Sequence, residues 1–131
     1  MADFKKSYRA EVGINHVPAY QVSGRPFASA STDGKSGSAV KIEFPFVTRW
    51  IYVVNSDSSG AKVGFSQLGL DGDNHFKIKG GQTTARLELK VSEIYLTGSN
   101  DLTVCAGLTT IPVSRVKTDS GASFSGSVGV G

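Results

Sequence analysis

Four groups of residues in this chain carry side chains that could take part in chemistry. The run Gly-Lys-Ser at 34–36 matches the end of a phosphate-binding loop, and the run Asp-Gly-Asp-Asn at 71–74 offers oxygen ligands for a cation. His16 and His75 are the two histidines, and Cys105 is the single cysteine. Whether any of them forms a site depends on the spacing that each kind of chemistry requires.

The first two runs lack that spacing. A phosphate-binding loop needs a further glycine five residues before Gly34, and Ser29 stands there instead. The 71–74 run departs from the spacing of the EF-hand loop and lacks its downstream glutamate. Asp-Gly and Asn are also common turn residues. We therefore expect two surface loops, with no bound metal and no cofactor.

The histidines and the cysteine also lack the partners that catalysis needs. A nucleophile would require Cys105 or a serine beside a histidine, with an acid that orients it. The His and Cys spacings of zinc sites do not occur in the sequence. We expect Cys105 to behave as a small, half-buried hydrophobic side chain and His75 to form hydrogen bonds beside a turn. The sequence therefore predicts a protein that is not an enzyme.

Composition narrows the class of partner. The chain has 131 residues, enough for one domain, with a formal charge of +3 and 16 glycines. Residues 41–111 carry seven basic and seven acidic side chains, and no basic cluster runs beside stacked aromatics, so we expect no nucleic-acid partner. No apolar run approaches the roughly 18 residues of a membrane-spanning helix, and the start of the chain lacks the apolar core of a secretory signal.

The sequence divides into three zones, and any functional site must be built from their residues. Residues 1–39 contain Pro18 and Pro26 with scattered apolar residues, which predicts an extended N-terminal arm. Residues 113–131 are rich in glycine and serine and predict a flexible C-terminal tail. The zone between them, 40–112, alternates apolar and polar residues with a strand's period of two.

The central zone predicts an all-β fold. Its alternating runs are separated by Gly, Asn, Asp and Ser turns, Pro45 interrupts one strand, and no run has a helical period. We expect LGLDGDN to form a loop and TARLELKV to form the most regular amphipathic strand. The fold class is an antiparallel β-sandwich, jelly-roll-like, with the arm and the tail attached. The runs predicted to form strands are AVKIEF, FVTRWIYVVN, AKVGFS, HFKIK, TARLELKV and LTVCAGL. After TARLELKV the alternation shifts by one, so we expect a bulge or short turn at Ser92–Glu93 before the strand continues through Ile94 and Leu96.

The run FPFVTRWIYVVNSD, at 44–57, is apolar on both faces of its predicted strand. A core of about 70 residues without disulfides or metals is marginal by itself, so association with another subunit is the expected use of the second face. The alternative is that the arm folds back over its own domain and covers this face. As interface residues we select Tyr20, Phe27, Trp50 and Tyr52, because aromatic side chains are enriched at interface hot spots.

Four runs give the chain a family likeness. VPAYQVSGRPF, FPFVTRWIYVVNS, RLELKVSEIYLTGS and LTVCAGLTTIP resemble small virion structural proteins of tailed bacteriophages, above all capsid-associated proteins of cyanophage-like myoviruses. The resemblance covers about residues 12–112. It implies a β-sandwich capsid decoration or cement protein, made in the host cytoplasm and placed on the capsid surface. Its partners would be the major capsid protein or other virion proteins, and it would form a homo-oligomer, a trimer or a dimer.

Two other classes of function remain open. One is a tail, neck or fibre component with a receptor- or glycan-binding role, which surface aromatics over a polar groove would favour. The other is a non-viral binding domain or a small hydrolase, which a pocket with converging acid or histidine groups would favour. Fold alone cannot separate these classes.

Overall fold

The computed structural model describes residues 25–32, 39–116, 124 and 127–130. Over these residues the chain forms seven strands, a short helix α1 and one turn of 3-10 helix. None of the helices in this part of the chain has the length and apolar character needed to cross a membrane. The bounds are β1 Arg25–Thr32, β2 Val40–Glu43, β3 Phe46–Asn55, β4 Ala61–Gly64, α1 Gln67–Asp71, β5 His75–Ile78, β6 Glu93–Thr97, β7 Leu102–Pro112 and the 3-10 turn Val113–Arg115.

The strands form two antiparallel sheets, which confirms the all-β prediction. One sheet has the order β1-β7-β3 and the other the order β2-β6-β4-β5. The chain changes sheet between β2 and β3, where Pro45 lies between the two strands. Proline has no backbone N–H for a sheet hydrogen bond and ends pairing at this point.

Both sheets contribute to one hydrophobic core. In β7, Leu102, Val104, Ala106 and Leu108 are buried, as their alternation predicts, and each is at most 1% exposed. The β2 pattern is also confirmed, since the 42 and 44 positions are buried and the 41 and 43 positions are exposed. The buried cluster consists of Ile42, Phe44, Ile51, Val53, Ala61, Val63, Ile78, Val91, Ile94, Leu96, Leu102, Val104, Ala106 and Leu108.

The segment 84–91 differs from the predicted regular strand. It lies beside β3 through two isolated bridges, Ile51 with Leu87 and Val54 with Thr83. Between these bridges β3 advances three residues while its partner advances four, so the register slips. Ala85, predicted to face inward, is exposed.

Threonine hydroxyls explain this irregularity. The Thr84 hydroxyl accepts a hydrogen bond from the N–H of Val53 at 3.0 Å. The Thr48 hydroxyl donates to Leu89 O at 2.6 Å and accepts from Val91 N at 3.0 Å. Each hydroxyl takes a position that a backbone group would hold in a regular ladder, while backbone hydrogen bonds such as those between Ile51 and Leu87 join the rest of the segment to β3.

The loop predicted for LGLDGDN is also partly wrong, because Gln67–Asp71 forms α1. The sequence feature that indicates this helix is the residue just before it. Ser66 is its N-cap, and the Ser66 hydroxyl accepts from the N–H of Gly69 at 2.9 Å. Such a cap satisfies one of the unpaired amides of the first turn, which stabilises even a helix of five residues in a packed setting.

Parts of the predicted arm and tail contact the central zone. β1 lies within the predicted arm and pairs with β7 of the same chain, from Arg25 opposite Leu108 to Thr32 opposite Leu102. In the predicted tail, Val116 is fully buried in a second small cluster with Val47 and Ile111, and Phe124 packs against it. Val130 O accepts a hydrogen bond from the Ser66 hydroxyl at 2.7 Å. Residues 1–24 and 33–38 of the predicted arm and residues 117–123, 125–126 and 131 of the predicted tail fall outside the described residues.

Candidate functional site

The outer face of the β1-β7-β3 sheet carries the aromatic residues predicted for an interface. Register places side chains in three rows across this sheet, and alternation points them away from the core. We call this surface the aromatic face. Its residues are Pro26, Gly107 and Trp50 in the first row, Ala28, Cys105 and Tyr52 in the second, and Thr103 and Val54 in the third.

Trp50 and Tyr52 dominate the aromatic face. Their rings are 5° from parallel with centroids 6.0 Å apart, and both side chains are half-buried. They project from one side of β3, while Ile51 and Val53 on its other side are fully buried. Arg49 is an extra residue in β3, because Thr48 pairs with Leu108 and Trp50 pairs with the adjacent Gly107.

Cys105 lies next to Tyr52 in the second row. A hydrogen bond to Cys105, with its charge and some burial adding to the effect, raises the pKa of Tyr52 above its ordinary value. None of the eight residues of the aromatic face has an Asp, Glu, Lys, Arg or His side chain. The sequence did not associate Cys105 with this surface, although its odd-numbered position on β7 was compatible with it.

The other two predicted interface residues do not belong to this face. Phe27 is on the opposite side of β1, where its ring meets Phe44 edge-on at a centroid distance of 5.0 Å. It packs against the hydrophobic core and is half-buried there. Tyr20 lies outside the described residues. The structure thus brings together Trp50 and Tyr52 but separates Phe27 from them.

A second cluster lies at the β2–β6 pair, beside a pocket of about 170 Å³. Glu43 and Glu93 are directly opposite each other, and Lys41 bridges them with Nζ–Oε distances of 3.1 and 3.5 Å. The Tyr95 hydroxyl donates to Glu93 at 2.5 Å. Lys41 pairs with both carboxylates, so the cluster is an ion-pair network at the sheet surface.

Two of the residues that could do chemistry, His75 and Asp71, lie at α1. His75 Nδ1 is 3.0 Å from Gly69 O, a hydrogen bond beside α1 that matches the predicted role. Asp71 ends α1 and its carboxylate accepts from the side-chain amide of Gln67 at 3.2 Å. Within the described ranges, no group of three or more His, Cys, Asp or Glu side chains could hold a metal ion. His16 and the 34–36 run fall outside those ranges.

One further depression was missed by sequence reasoning. A pocket of about 430 Å³ opens where β4 begins and β5 ends, and three lysines line it, Lys62, Lys77 and Lys79. Lys62 and Lys77 are opposite each other in the β4–β5 pair. The sequence shows Lys77 as outward-facing, but only strand register places these lysines together.

The comparisons with known proteins add no relative to this description. No family model, no curated protein and no solved structure matches the chain.

Proposed function

We propose that this chain is a non-enzymatic virion structural protein, a capsid decoration or cement protein that acts through subunit contacts. The observation that supports it best is the aromatic face, with Trp50 and Tyr52 half-exposed on a sheet whose other side forms the core. Aromatic side chains on an uncharged, strand-backed surface are the composition of an interface centre. The phage assignment itself rests on the sequence resemblance.

The finer fold proposal is a jelly-roll-like sandwich. Counting the irregular segment 82–91 as a strand between β5 and β6 makes eight strands in chain order. The first then pairs with the last, the second with the seventh, the third with the sixth and the fourth with the fifth. This is the pairing of a long hairpin rolled into two sheets, and jelly rolls of this size occur in viral capsid and lectin domains.

A second copy of the chain is the partner that the aromatic face favours. The central rows of this face contain no charged side chain, so two such faces can meet without like-charge repulsion. A two-fold contact places the same patch on both subunits, which requires a surface compatible with itself. The outer face of the other sheet, by contrast, is charged: it presents Lys62 and Lys77 together with the ion-paired Lys41, Glu43 and Glu93, and burying these charges against a second copy would be costly.

Sedimentation of the purified chain across the micromolar range tests this contact. We expect the wild type to form an oligomer and the Trp50→Ala, Tyr52→Ala double variant to dissociate more than about thirtyfold more readily, since the loss of a single hot spot costs about 2 kcal/mol. The matched control is Leu68→Ala, which removes an apolar side chain that is 70% exposed on α1. A monomeric wild type, or equal weakening by the control, would refute self-association through this face.

The free energy of unfolding of a Trp50 variant shows whether Trp50 is an interface residue or a core residue. Because it projects outside the core, Trp50→Ala should lower the free energy of unfolding by about 1–2 kcal/mol, less than the roughly 3–5 kcal/mol typical of a buried aromatic. Urea unfolding of the variant measures this difference. Electron microscopy that locates the chain in a purified phage particle tests the virion assignment separately.

A glycan-binding tail or fibre component is the second candidate. The parallel Trp50 and Tyr52 rings could receive the apolar face of a sugar, and lectin domains share the proposed fold. Trp50 is the single tryptophan, so its fluorescence reports directly on this surface. Quenching or enhancement on titration with oligosaccharides, lost in Tyr52→Ala, would favour this candidate over the self-contact.

A further inference from the structure

The pocket of about 430 Å³ lies on the second sheet, and none of its lining residues belongs to the aromatic face. We propose that it binds a small molecule carrying a phosphate group. We call it the lysine hollow and define it by its rim, Lys62, Lys77 and Lys79, and by its walls, Gly60, Thr97 and Gly98. Its volume lies within the range of about 300–1,000 Å³ that is usual for small-molecule sites.

Strand pairing brings like charges together at this rim. Lys62 of β4 is directly opposite Lys77 of β5, and Lys79 follows at the end of β5. Like charges directly opposite each other destabilise an antiparallel pair. The ion pairs Lys41–Glu43, Lys41–Glu93 and Arg86–Glu88 do not involve these three lysines. A bound anion would relieve the repulsion that the register creates.

Two glycines, Gly60 and Gly98, leave space in the lysine hollow because they have no side chains. A Cβ on Gly60 would have its nearest contact, Ile78 O, at 3.6 Å, so a side chain could stand there and its absence leaves room. Gly98 has a φ of 97°, a conformation that residues with a side chain rarely adopt. Ala61 and Ile78, 2% and 5% exposed, line the hollow from the core side. The result is a concavity with an apolar floor and a cationic rim.

The chemistry of lysine is suited to phosphate as the ligand group. An ammonium is a compact point charge that can approach any phosphate oxygen, and lysine is a common phosphate-binding residue in proteins. The lining residues include no aromatic side chain, so the hollow offers no stacking surface for the bases of a nucleic-acid strand. The lysine hollow, a concave site with three ammonium groups, therefore suits a small phosphorylated molecule.

Amide chemical shifts of the full chain, recorded during titration with inorganic phosphate and with glucose 6-phosphate at constant ionic strength, test the proposal. We expect saturable shifts confined to residues 60–62, 77–79 and 97–98, and tighter binding of the sugar phosphate if its organic part contacts the apolar floor. Lys62→Gln and Lys77→Gln should each weaken binding about tenfold, the effect of losing one charge-assisted contact. Gly60→Val should block binding by filling the hollow without changing the charge.

Lys41→Gln is the matched control, because it removes one positive charge from the other edge of the same sheet. It should change phosphate affinity less than twofold. Shifts spread over the whole surface, equal weakening by the control, or no shift with either phosphate compound would overturn the proposal. So would binding of a polyglutamate peptide in place of both phosphate compounds.

A second measurement separates a binding role from a structural one. Without ligand, Lys62→Gln should unfold at the same temperature as the wild type or a higher one, because the substitution removes a repulsive cross-strand pair. Phosphate should raise the unfolding temperature of the wild type and leave that of the Lys62→Gln, Lys77→Gln double variant unchanged. A lower unfolding temperature for Lys62→Gln would show that this lysine stabilises the fold and would contradict the inference.

Discussion

The Thr48 hydroxyl connects β3 to the irregular segment beside it, and its removal is a sharp test of how that edge is held. Thr48 is fully buried; its hydroxyl donates to Leu89 O at 2.6 Å and accepts from Val91 N at 3.0 Å. Thr48→Val keeps the shape and β-branching of the side chain but deletes both hydrogen bonds. Two backbone groups, one carbonyl and one amide, then lose their partner.

The magnitude follows from those two groups. A buried donor or acceptor left unpaired costs about 1–3 kcal/mol, so taking about 1.5 kcal/mol for each gives about 3 kcal/mol. The methyl group that replaces the hydroxyl contributes about 0.8 kcal/mol of additional apolar burial. We therefore expect Thr48→Val to lower the free energy of unfolding by about 2 kcal/mol.

Urea unfolding followed by circular dichroism measures this value, with the slope of the transition as a check that the unfolded surface is unchanged. Thr110→Val is the matched control, since Thr110 is an exposed residue of β7 and should change stability by less than about 0.5 kcal/mol. Hydrogen exchange of the Val91 amide should accelerate in Thr48→Val alone. If Thr48→Val equals the wild type in stability, the hydroxyl does not hold this edge and our explanation of the irregular register is wrong.

Two further predictions concern the second sheet. Burial, and then the hydrogen bond to Glu93, raise the pKa of Tyr95 above its ordinary value of about 10, so its contribution to stability is complete below that pH and is lost as pH rises through the folded-state pKa. The urea midpoint should therefore fall more steeply above pH 10 in the wild type than in Tyr95→Phe, and parallel pH profiles would contradict this. Gly98→Ala should cost more than about 1 kcal/mol, because φ is 97° and the added Cβ would lie 2.7 Å from a backbone carbonyl. Gly81→Ala, with φ of 74° and open space around it, isolates the conformational part, and equal thermal unfolding of the two variants would show that the close contact has no effect.

Local pattern was enough to identify most strands. The alternation in β2 and β7 predicted which residues enter the core, and Pro45 predicted the break between β2 and β3. These predictions succeed because a period of two and the missing N–H of proline are properties of adjacent residues. The same reasoning was wrong for the 84–91 segment, since the Thr48 hydroxyl, distant in sequence, takes the place of a backbone partner at Leu89 and Val91 and interrupts the ladder.

Buried polar groups were beyond that reasoning as well. Asn55 closes β3 in a polar run, yet it is fully buried, and its side-chain amide donates to Ser59 O at 2.8 Å, with Ile78 O and Lys79 O at 3.4 and 3.3 Å. A sequence position cannot reveal these acceptors, because the carbonyls come from a turn and from the end of β5. Their convergence is a consequence of how the sheets fold together.

For the candidate site, the sequence by itself determined that β3 is apolar on both sides and that Trp50 and Tyr52 share one of them. It could not decide which side faces the core, because that depends on where the other sheet lies. The tertiary structure decided it: Ile51 and Val53 meet the second sheet, and the two aromatic rings are left outside. It also decided that Lys62 and Lys77 are neighbours, since cross-strand register is set by pairing between strands and not by residues along one of them.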